Sequence, residues 1–368
     1  MNHRVAFAGL LLAASVLAAT GSAADKTQTF AAKKGGTLEV RVDGGSVTVK
    51  GWEKDEVTVR AECIDAEQLE GVTFSEGGGK VLVEFRSRHR NVEDMKFEAS
   101  VPSSFNVQIW TAGGQLDLPG PLTGSLKGET AGGEITLGKL GGKLRFSTAG
   151  GRITAKDIAG DLEVRTAGGD IEVKSVTGTA QLSTAGGRIK VENAAKSLRA
   201  ETAGGEIEIG KVGGDLKAST AGGGISVGSV QGETSLNTAG GAIELSGGTG
   251  KLAASTSAGD IILGQFSGSV NLRTAAGDIN VTLDPAVGES SSMATSAGSI
   301  TLTLPPTAKA SIMARARGWG EEETGHIKSD FPMTKPGGRD EVEITLNGGG
   351  HRITLETMIG SIAVQKGK

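Results

Sequence analysis

Apolar residues in the middle of the chain alternate with polar ones at a period of two, in short runs that glycines interrupt. In the segment 166–183, Ile171 and Val173 form one such run, and Ala180 and Leu182 form the next, nine residues later. A period of two indicates strands rather than helices. The segment therefore predicts two short strands joined by turns.

The alternation belongs to an internal repeat that opens with Thr-Ala-Gly-Gly or a close variant. Most units are 18 residues long, and each divides into two halves of nine. Stacking such units at about 4.8 Å pairs each strand with its equivalents in the neighbouring units. The sequence therefore predicts an all-β protein: a parallel β-solenoid of 18-residue coils built from two nine-residue halves, with capping β structure at both ends. The units begin at Thr111, Thr130, Thr148, Thr166, Thr184, Thr202, Thr220, Thr238, Thr256, Thr274 and Thr295.

Two other repeat architectures fit the spacing less well. Left-handed hexapeptide coils need an apolar residue every six positions, whereas the matches here are nine apart. Calcium-binding nonapeptide rolls share the period of nine, but they need an aspartate in every turn. Two units instead have Arg152 and Arg188 at their fifth position, where a guanidinium would repel a cation.

The fifth position alternates in charge over five consecutive units. If the coils stack, each charge has opposite neighbours on both sides, although an exposed pair is worth only ~0.2–1 kcal/mol. We hypothesise that the alternation fixes the register of the coils, because a slip by one coil would stack like charges. The residues are Glu134, Arg152, Asp170, Arg188 and Glu206.

The glycines and threonines of the motif have separate expected roles. The fourth position is glycine in all eleven units, which predicts a positive φ at a tight turn. The third position becomes alanine in the last three units, so alanine should cost more at Gly169 than at Gly168. The threonines at the first position of the units form a column when the coils stack, and in the alternation they fall on inward-facing or corner positions. Their hydroxyls are expected to form hydrogen bonds from coil to coil. No histidine accompanies them, which argues against a nucleophile.

The N-terminus has the three parts of a secretory signal peptide. A basic start ending at Arg4 precedes an apolar run over residues 5–19, and small residues lead to Ala24. We therefore expect cleavage after Ala24 and a periplasmic or cell-surface location. After cleavage, no remaining stretch is expected to span a membrane as a helix.

Composition divides the rest of the chain. Seven of the eleven aromatic residues beyond the leader lie at or before Trp110, which predicts a thicker N-terminal cap. Proline, glycine and charge increase after Pro305, which predicts an exposed loop or hairpin that interrupts the coil. The expected order is a signal peptide (1–24), an N-terminal cap with the first β coils (25–110), regular solenoid repeats (111–304), a loop or insertion (305–340) and C-terminal coils (341–368).

Few residues suggest chemistry. The net charge of −4 gives no electrostatic case for a nucleic-acid partner. Cys63, the only cysteine, lies at an apolar position of an alternating run, which favours a buried thiol. The histidines His89, His326 and His351 lack metal-ligand spacing, although a C-terminal loop could bring the last two together. We predict no catalytic, cofactor-binding or metal-binding residue, and no cofactor.

Several motifs resemble the DUF4097 group, a family of exported bacterial β-solenoid proteins named as candidate adhesins. The motifs are Gly35-Gly-Thr-Leu-Glu-Val40, Gly45-Ser-Val-Thr-Val49-Lys-Gly-Trp52, Phe97-Glu-Ala-Ser-Val-Pro102, the T-x-x-G-x-I units, Asn347-Gly-Gly-Gly350 and Gly360-Ser-Ile362. The resemblance covers nearly the whole chain beyond the leader. It implies a parallel β-helix-like fold and a cell-envelope setting, and it supplies no catalytic or ligand residues.

Three functions remain open. The leading expectation is an exported, non-enzymatic structural or interaction protein with an adhesin-like role, whose partner is an unknown protein or cell-surface glycan, with end-to-end or edge association as a further possibility. One alternative is a polysaccharide-acting β-helix enzyme. Asp260 and Asp278, stacked at the fifth position, could hold a carboxyl pair or a weak cation, although two solvated turn residues are the favoured interpretation. The other is an accessory envelope subunit that binds another protein through its cap or through the 306–340 loop.

Overall fold

The computed structural model describes residues 24–64, 66–87, 92, 94–286, 289–317, 327–334 and 341–367. The expected signal peptide lies outside the described residues except for Ala24, and His89 and His326 also lie outside them. The chain is all-β and forms a parallel β-solenoid of about 11 turns at a spacing of about 18 residues, which confirms the predicted fold class. It divides into two compact units, 1–133 and 134–368.

The described residues of the first unit form ten strands and one short 3-10 helix at Ala66–Gly71. The strands are β1 (Ala24–Ala31), β2 (Thr37–Val42), β3 (Ser46–Trp52), β4 (Glu56–Cys63), β5 (Val72–Gly77), β6 (Lys80–Phe85), β7 (Lys96–Pro102), β8 (Asn106–Thr111), β9 (Leu116–Leu118) and β10 (Leu122–Thr130).

The first coil of the chain is an inner layer of this unit. β2 pairs in parallel with β6 on one side and with β8 on the other. β3 likewise lies between β7 and β9. Antiparallel strands extend the pairing further, since β5 pairs with β6 and β4 pairs with both β7 and β1. The rings of Phe85 and Phe97, on β6 and β7, pack against each other with their centroids 5.7 Å apart.

The second unit contains the remaining strands. They are β11 (Ile135–Thr148), β12 (Ile153–Arg165), β13 (Ile171–Val176), β14 (Ala180–Ser183), β15 (Ile189–Ala194), β16 (Leu198–Glu201), β17 (Ile207–Val212), β18 (Leu216–Ser219), β19 (Ile225–Gln231), β20 (Thr234–Asn237), β21 (Ile243–Ala258), β22 (Ile261–Ala276), β23 (Ile279–Pro285), β24 (Ser290–Ala297), β25 (Ile300–Leu304), β26 (Ala310–Ala316), β27 (Ile327–Ser329), β28 (Met333–Thr334), β29 (Glu341–Leu346), β30 (His351–Ile359) and β31 (Ile362–Lys366).

Parallel pairing at a spacing of one unit produces continuous interior columns. Ile153 pairs with Ile171, Ile171 with Ile189, and Ile189 with Ile207. Each of these side chains is at most 1% exposed. The column forms because every coil places the same apolar residue at the same inward position, and burial of a large aliphatic side chain stabilises the fold by about 1.5–3 kcal/mol.

Part of the segment 305–340, which was predicted to be an exposed loop or hairpin, forms a buried strand. Residues 310–316 form strand β26, in which Ala310, Ile312 and Ala314 are fully buried. β26 pairs antiparallel with β29 and parallel with β30. The exposed-loop interpretation is wrong for this strand, whereas its antiparallel pairing with β29 agrees with the hairpin interpretation. Small apolar residues alternate with polar ones at a period of two here, and the charges of the segment obscure that alternation. Residues 318–326 and 335–340 lie outside the described residues.

The order of strands in space departs from their order in the chain at this point. The C-terminal coil, β30 and β31, lies between the coil β24–β25 and the strands β26 and β27. After β25 the chain leaves one layer of the stack unoccupied and forms β26 to β29 beyond it. It then returns, and β30 and β31 occupy the layer that was left.

The fourth-position glycines are required for space, not for a left-handed backbone. A Cβ on Gly169 would lie 2.0 Å from the carbonyl oxygen of Gly151 in the preceding coil, whereas a Cβ on Gly168 would meet nothing closer than 3.9 Å. Among the described residues of this column, only Gly277 and Gly298 have positive φ, of 155° and 153°. The prediction of positive φ is therefore wrong for most of the column. The coils approach so closely here that no side chain fits.

Candidate functional site

In the regular units, the hydroxyl of the opening threonine forms one hydrogen bond to the preceding coil and one within its own coil. The Thr166 hydroxyl donates to the carbonyl of Gly151 at 3.0 Å and accepts the amide of Gly169 at 3.2 Å. The column was predicted to connect coil to coil, and the structure shows that its partners are glycine backbone groups rather than other hydroxyls. A hydroxyl that is buried and engaged on both sides is poorly suited to nucleophilic chemistry. The same pair of bonds recurs at Thr184, Thr202, Thr220 and Thr238.

Asp260 and Asp278, the only candidate carboxyl pair of the enzyme alternative, bind backbone amides. Asp260 Oδ1 accepts the amide of Asp278 at 2.8 Å, and Asp278 Oδ1 accepts the amide of Ser299 at 2.7 Å. Each carboxylate therefore binds the next coil in the stack. An enzyme that cleaves glycosidic bonds needs two carboxyl groups that converge on a substrate, and this pair is stacked along the coils.

Asp161 repeats this arrangement in the other half of a coil. Its Oδ1 accepts both the amide and the hydroxyl of Thr179, each at 2.9 Å. These two hydrogen bonds, helped by the charges of Lys196 and Lys143, hold the pKa of Asp161 below its ordinary value. The sequence analysis did not identify this role. A signal for it exists, since Asp161 directly follows a turn glycine, as Asp260 does.

The charges of the fifth position lie on successive coils in alternating order, as predicted, but they form few ion pairs. Arg152 Nη2 lies 3.9 Å from Asp170 Oδ2, and no other ion pair within 4.0 Å joins described members of this column. Asp170 instead accepts the backbone amide of Arg188 at 2.8 Å. Ion pairs between coils form in other columns, at Arg145–Glu163 (2.7 Å) and Lys190–Glu208 (2.9 Å).

Glu39 is a buried carboxylate on the outward side of β2. It is 2% exposed, and it contacts the guanidinium of Arg41 and the ammonium of Lys80. Burial alone would raise its pKa, but the hydrogen bonds and charges of Lys80 and Arg41 hold the pKa of Glu39 below its ordinary value. The Arg41 guanidinium and the Lys127 ammonium also lie 5.6 and 5.4 Å from the Trp110 ring centroid. Because these cations come from strands on either side of β8, the ring is not an open platform for a sugar.

His351 is fully buried in the interior of the C-terminal coil. Its Nδ1 lies 2.5 Å from the carbonyl oxygen of Ala286, and its Nε2 lies 2.7 Å from Ser291 Oγ. A carbonyl only accepts hydrogen bonds, so the network assigns the proton to Nδ1, and Nε2 accepts the Ser291 hydroxyl. The Val270 amide donates to Ser291 Oγ at 3.0 Å. This serine–histidine pair satisfies backbone groups and has no access to solvent.

The remaining candidate groups show no site for chemistry. Cys63 is 2% exposed, which confirms the predicted buried thiol. Across the described ranges, no group of three or more histidine, cysteine, aspartate or glutamate residues could hold a metal ion. In that same part of the chain, no helix combines the length and hydrophobicity that crossing a bilayer requires.

Comparison with known proteins places these features in a family. The family model described as Toastrack DUF4097 matches residues 14–214 and 195–365. The chain belongs to the DUF4097 family. No curated protein matches the sequence.

Solved structures similar to this DUF4097 chain have low identity. A candidate adhesin from Bacteroides fragilis NCTC 9343 is 14% identical, with 76% of this chain and 96% of that chain covered and a TM-score of 0.28. A candidate adhesin from Parabacteroides distasonis ATCC 8503 is 11% identical over the same shares, with a TM-score of 0.27. A candidate lipid-binding protein from that species is 13% identical over the same shares, with a TM-score of 0.23. Likenesses this weak carry no argument about function.

The threonine–glycine contacts of the repeat units recur in the C-terminal coil of this DUF4097 chain. Thr357 donates to the carbonyl of Gly298 at 2.8 Å, as the other threonines do to their glycines. A Cβ on Gly360 would lie 2.0 Å from the same carbonyl oxygen. The signal was present as a threonine three residues before a glycine, but Met358 and Ile359 replace the small residues that made the other units recognisable.

Proposed function

We propose that the protein is an exported, non-enzymatic interaction protein of the bacterial cell envelope, with an adhesin-like role. One observation carries this proposal: the polar side chains that repeat along the coils are used to hold coil to coil. The threonine hydroxyls and the carboxylates of Asp260 and Asp278 bind backbone groups of neighbouring coils. Membership of the DUF4097 family and the leader-like N-terminus support the envelope setting.

The enzyme alternative finds no support in the described residues. Its candidate carboxylates bind amides, and the Trp110 ring lies between two cations. The accessory-subunit alternative has one favouring observation, the side chain of Met333, which is 44% exposed in the insertion. A deletion of 306–340 would remove strands that pair with β30 and β31, so this alternative is better tested with Met333→Glu.

The proposal is tested by locating the protein and its neighbours in the cell. The full chain with a C-terminal tag is produced in its own bacterium, cells are fractionated, and intact cells are treated with protease and with a crosslinker. We expect the protein in the envelope or medium, crosslinked to envelope components. A cytoplasmic location, or purified protein that cleaves a polysaccharide and loses that activity in Asp260→Asn, would contradict it. Loss of one crosslinked partner in Met333→Glu would favour the accessory subunit.

A further inference from the structure

The C-terminal coil is bound on both sides by coils that precede it in the chain. On one side, Gly298 and Ile300 donate their amides to Ile359 and Ser361 at 2.8 and 2.9 Å. On the other side, Arg317 and Asp330 donate to Thr357 and Val364, each at 3.0 Å. β30 and β31 therefore occupy a slot whose walls are β24–β25 and β26–β27. If residues 351–366 leave, four strand edges lose their partners.

The slot has polar requirements that few strands can meet. The carbonyl of Ala286 and the hydroxyl of Ser291 bind the two ring nitrogens of His351. The carbonyl of Gly298 binds the Thr357 hydroxyl. A polar group that is buried without a hydrogen-bond partner destabilises the structure. An occupant must therefore present a histidine at its start and a threonine six residues later, as residues 351–357 do.

A glycine hinge connects the coil to the preceding strand. Gly348, Gly349 and Gly350 have φ of 82°, 80° and 152°, and Asn347 has φ of 50°. Glycine adopts the turned and the extended form at similar cost. The Asn347 side chain holds the turned form, because its Nδ2 donates to the carbonyls of Pro306 and Ala308 at 2.9 and 2.8 Å.

We propose that the slot also accepts residues 351–366 of a second copy of the chain, so that two copies exchange their C-terminal coils. A second copy carries the histidine and the threonine at the required spacing, and each exchanged coil makes the hydrogen bonds seen within one chain. Exchange of an identical element is a low-cost route to a dimer. The hydrogen bonds of Asn347 favour the unexchanged form and set the balance between the two.

The exchange is tested by crosslinking across the slot wall. In a full-length Cys63→Ala background, Thr301→Cys and Ala363→Cys place thiols on paired residues of β25 and β31. The control pair, Asn280→Cys and Thr301→Cys, joins β23 to β25 and does not involve the C-terminal coil. Each variant is refolded at low and high protein concentration, checked for native circular dichroism, treated with a short bismaleimide and analysed on denaturing gels.

Exchange predicts covalent dimers for the Thr301–Ala363 pair at high concentration, and a several-fold larger dimer fraction when Asn347→Ala is added. The control pair is expected to crosslink within single chains only. If the Thr301–Ala363 pair crosslinks only within single chains at every concentration, with and without Asn347→Ala, the exchange does not occur. Equal dimer fractions for the test and control pairs would also overturn the proposal, because they would indicate association outside the slot.

Discussion

The hydroxyl of Thr202 donates to the carbonyl of Gly187, in the coil before it, at 2.9 Å. The same oxygen accepts the amide of Gly205, in its own coil, at 3.2 Å. One buried side chain therefore satisfies two backbone groups that the close approach of the coils leaves without other partners.

This relationship predicts a difference between two substitutions at one position. Thr202→Val keeps the shape but leaves the Gly187 carbonyl and the Gly205 amide unpaired, at a cost of about 1–3 kcal/mol for each buried group. Thr202→Ser loses only a methyl group, about 1 kcal/mol. Urea unfolding of both variants measures the difference. Equal loss of stability in the two variants would show that the hydroxyl contributes little.

The spacing of the coils predicts unequal costs at adjacent glycines. Gly169→Ala drives a methyl group into the Gly151 carbonyl oxygen, and we expect a loss of about 1–3 kcal/mol or more. Gly168→Ala adds a methyl group at ordinary contact distance, and its effect should remain within about 0.5 kcal/mol. Thermal and urea unfolding compare the pair. A similar loss in both variants would contradict the steric explanation.

Asp161 predicts a dependence of stability on pH. Its pKa is lowered in the folded chain, chiefly by the amide and hydroxyl of Thr179, so near the ordinary aspartate value of about 3.9 the unfolded chain binds more protons. The contribution of Asp161 to the free energy of unfolding is therefore present above that pH and is lost as the pH falls through its lower pKa in the folded chain. Urea midpoints measured from about pH 6 down to pH 3 should fall less steeply for Asp161→Asn than for the unchanged chain.

Asp157→Asn serves as the matched control, since this residue lies exposed in the same coil. Between about pH 6 and pH 3, the urea midpoint of Asp157→Asn should fall about as steeply as that of the unchanged chain. If Asp161→Asn and Asp157→Asn behave alike, the hydrogen bonds to Thr179 do not account for acid sensitivity. Because Asp161 is exposed, we expect its share of the slope to be small.

The buried His351–Ser291 pair predicts coupling between two distant segments of sequence. His351→Phe leaves the Ala286 carbonyl unpaired, and we expect a loss of about 1–3 kcal/mol. Hydrogen exchange should increase in residues 351–366 more than in residues 171–212. A double-mutant cycle with Ser291→Ala should give a coupling energy of about 0.5–3 kcal/mol. Additive effects would mean that the hydrogen bond contributes nothing of its own.

The interior of the coils could be predicted from sequence because its cause is local. Ile171 and Val173 alternate with polar residues, and repetition every 18 residues then determines the stacking register. The role of Gly169 could not be inferred in the same way. A glycine that permits a left-handed turn and a glycine that makes room for a neighbouring carbonyl look identical in sequence, and only the distance between coils separates them.

The C-terminal region was harder to predict for a different reason. Sequence order gives no indication that β30 pairs with β24 on one side and with β26 on the other. Likewise, nothing near Ser291 indicates a partner 60 residues later. Such pairings depend on long-range closure. For Asp260 and Asp278, the sequence favours two solvated turn residues over a carboxyl pair, and neither interpretation includes the backbone amides that they bind.

The hydrogen bonds of the threonine column reach only the coil directly before them. Removal of one whole unit, such as residues 184–201, would bring Thr202 beside Gly169 with the same donor and acceptor geometry that Thr184 has now. The number of coils is therefore a quantity that gene duplication or deletion can change in single steps, without redesign of the interior. Evolution can adjust the reach of such a protein by copying one short stretch of DNA.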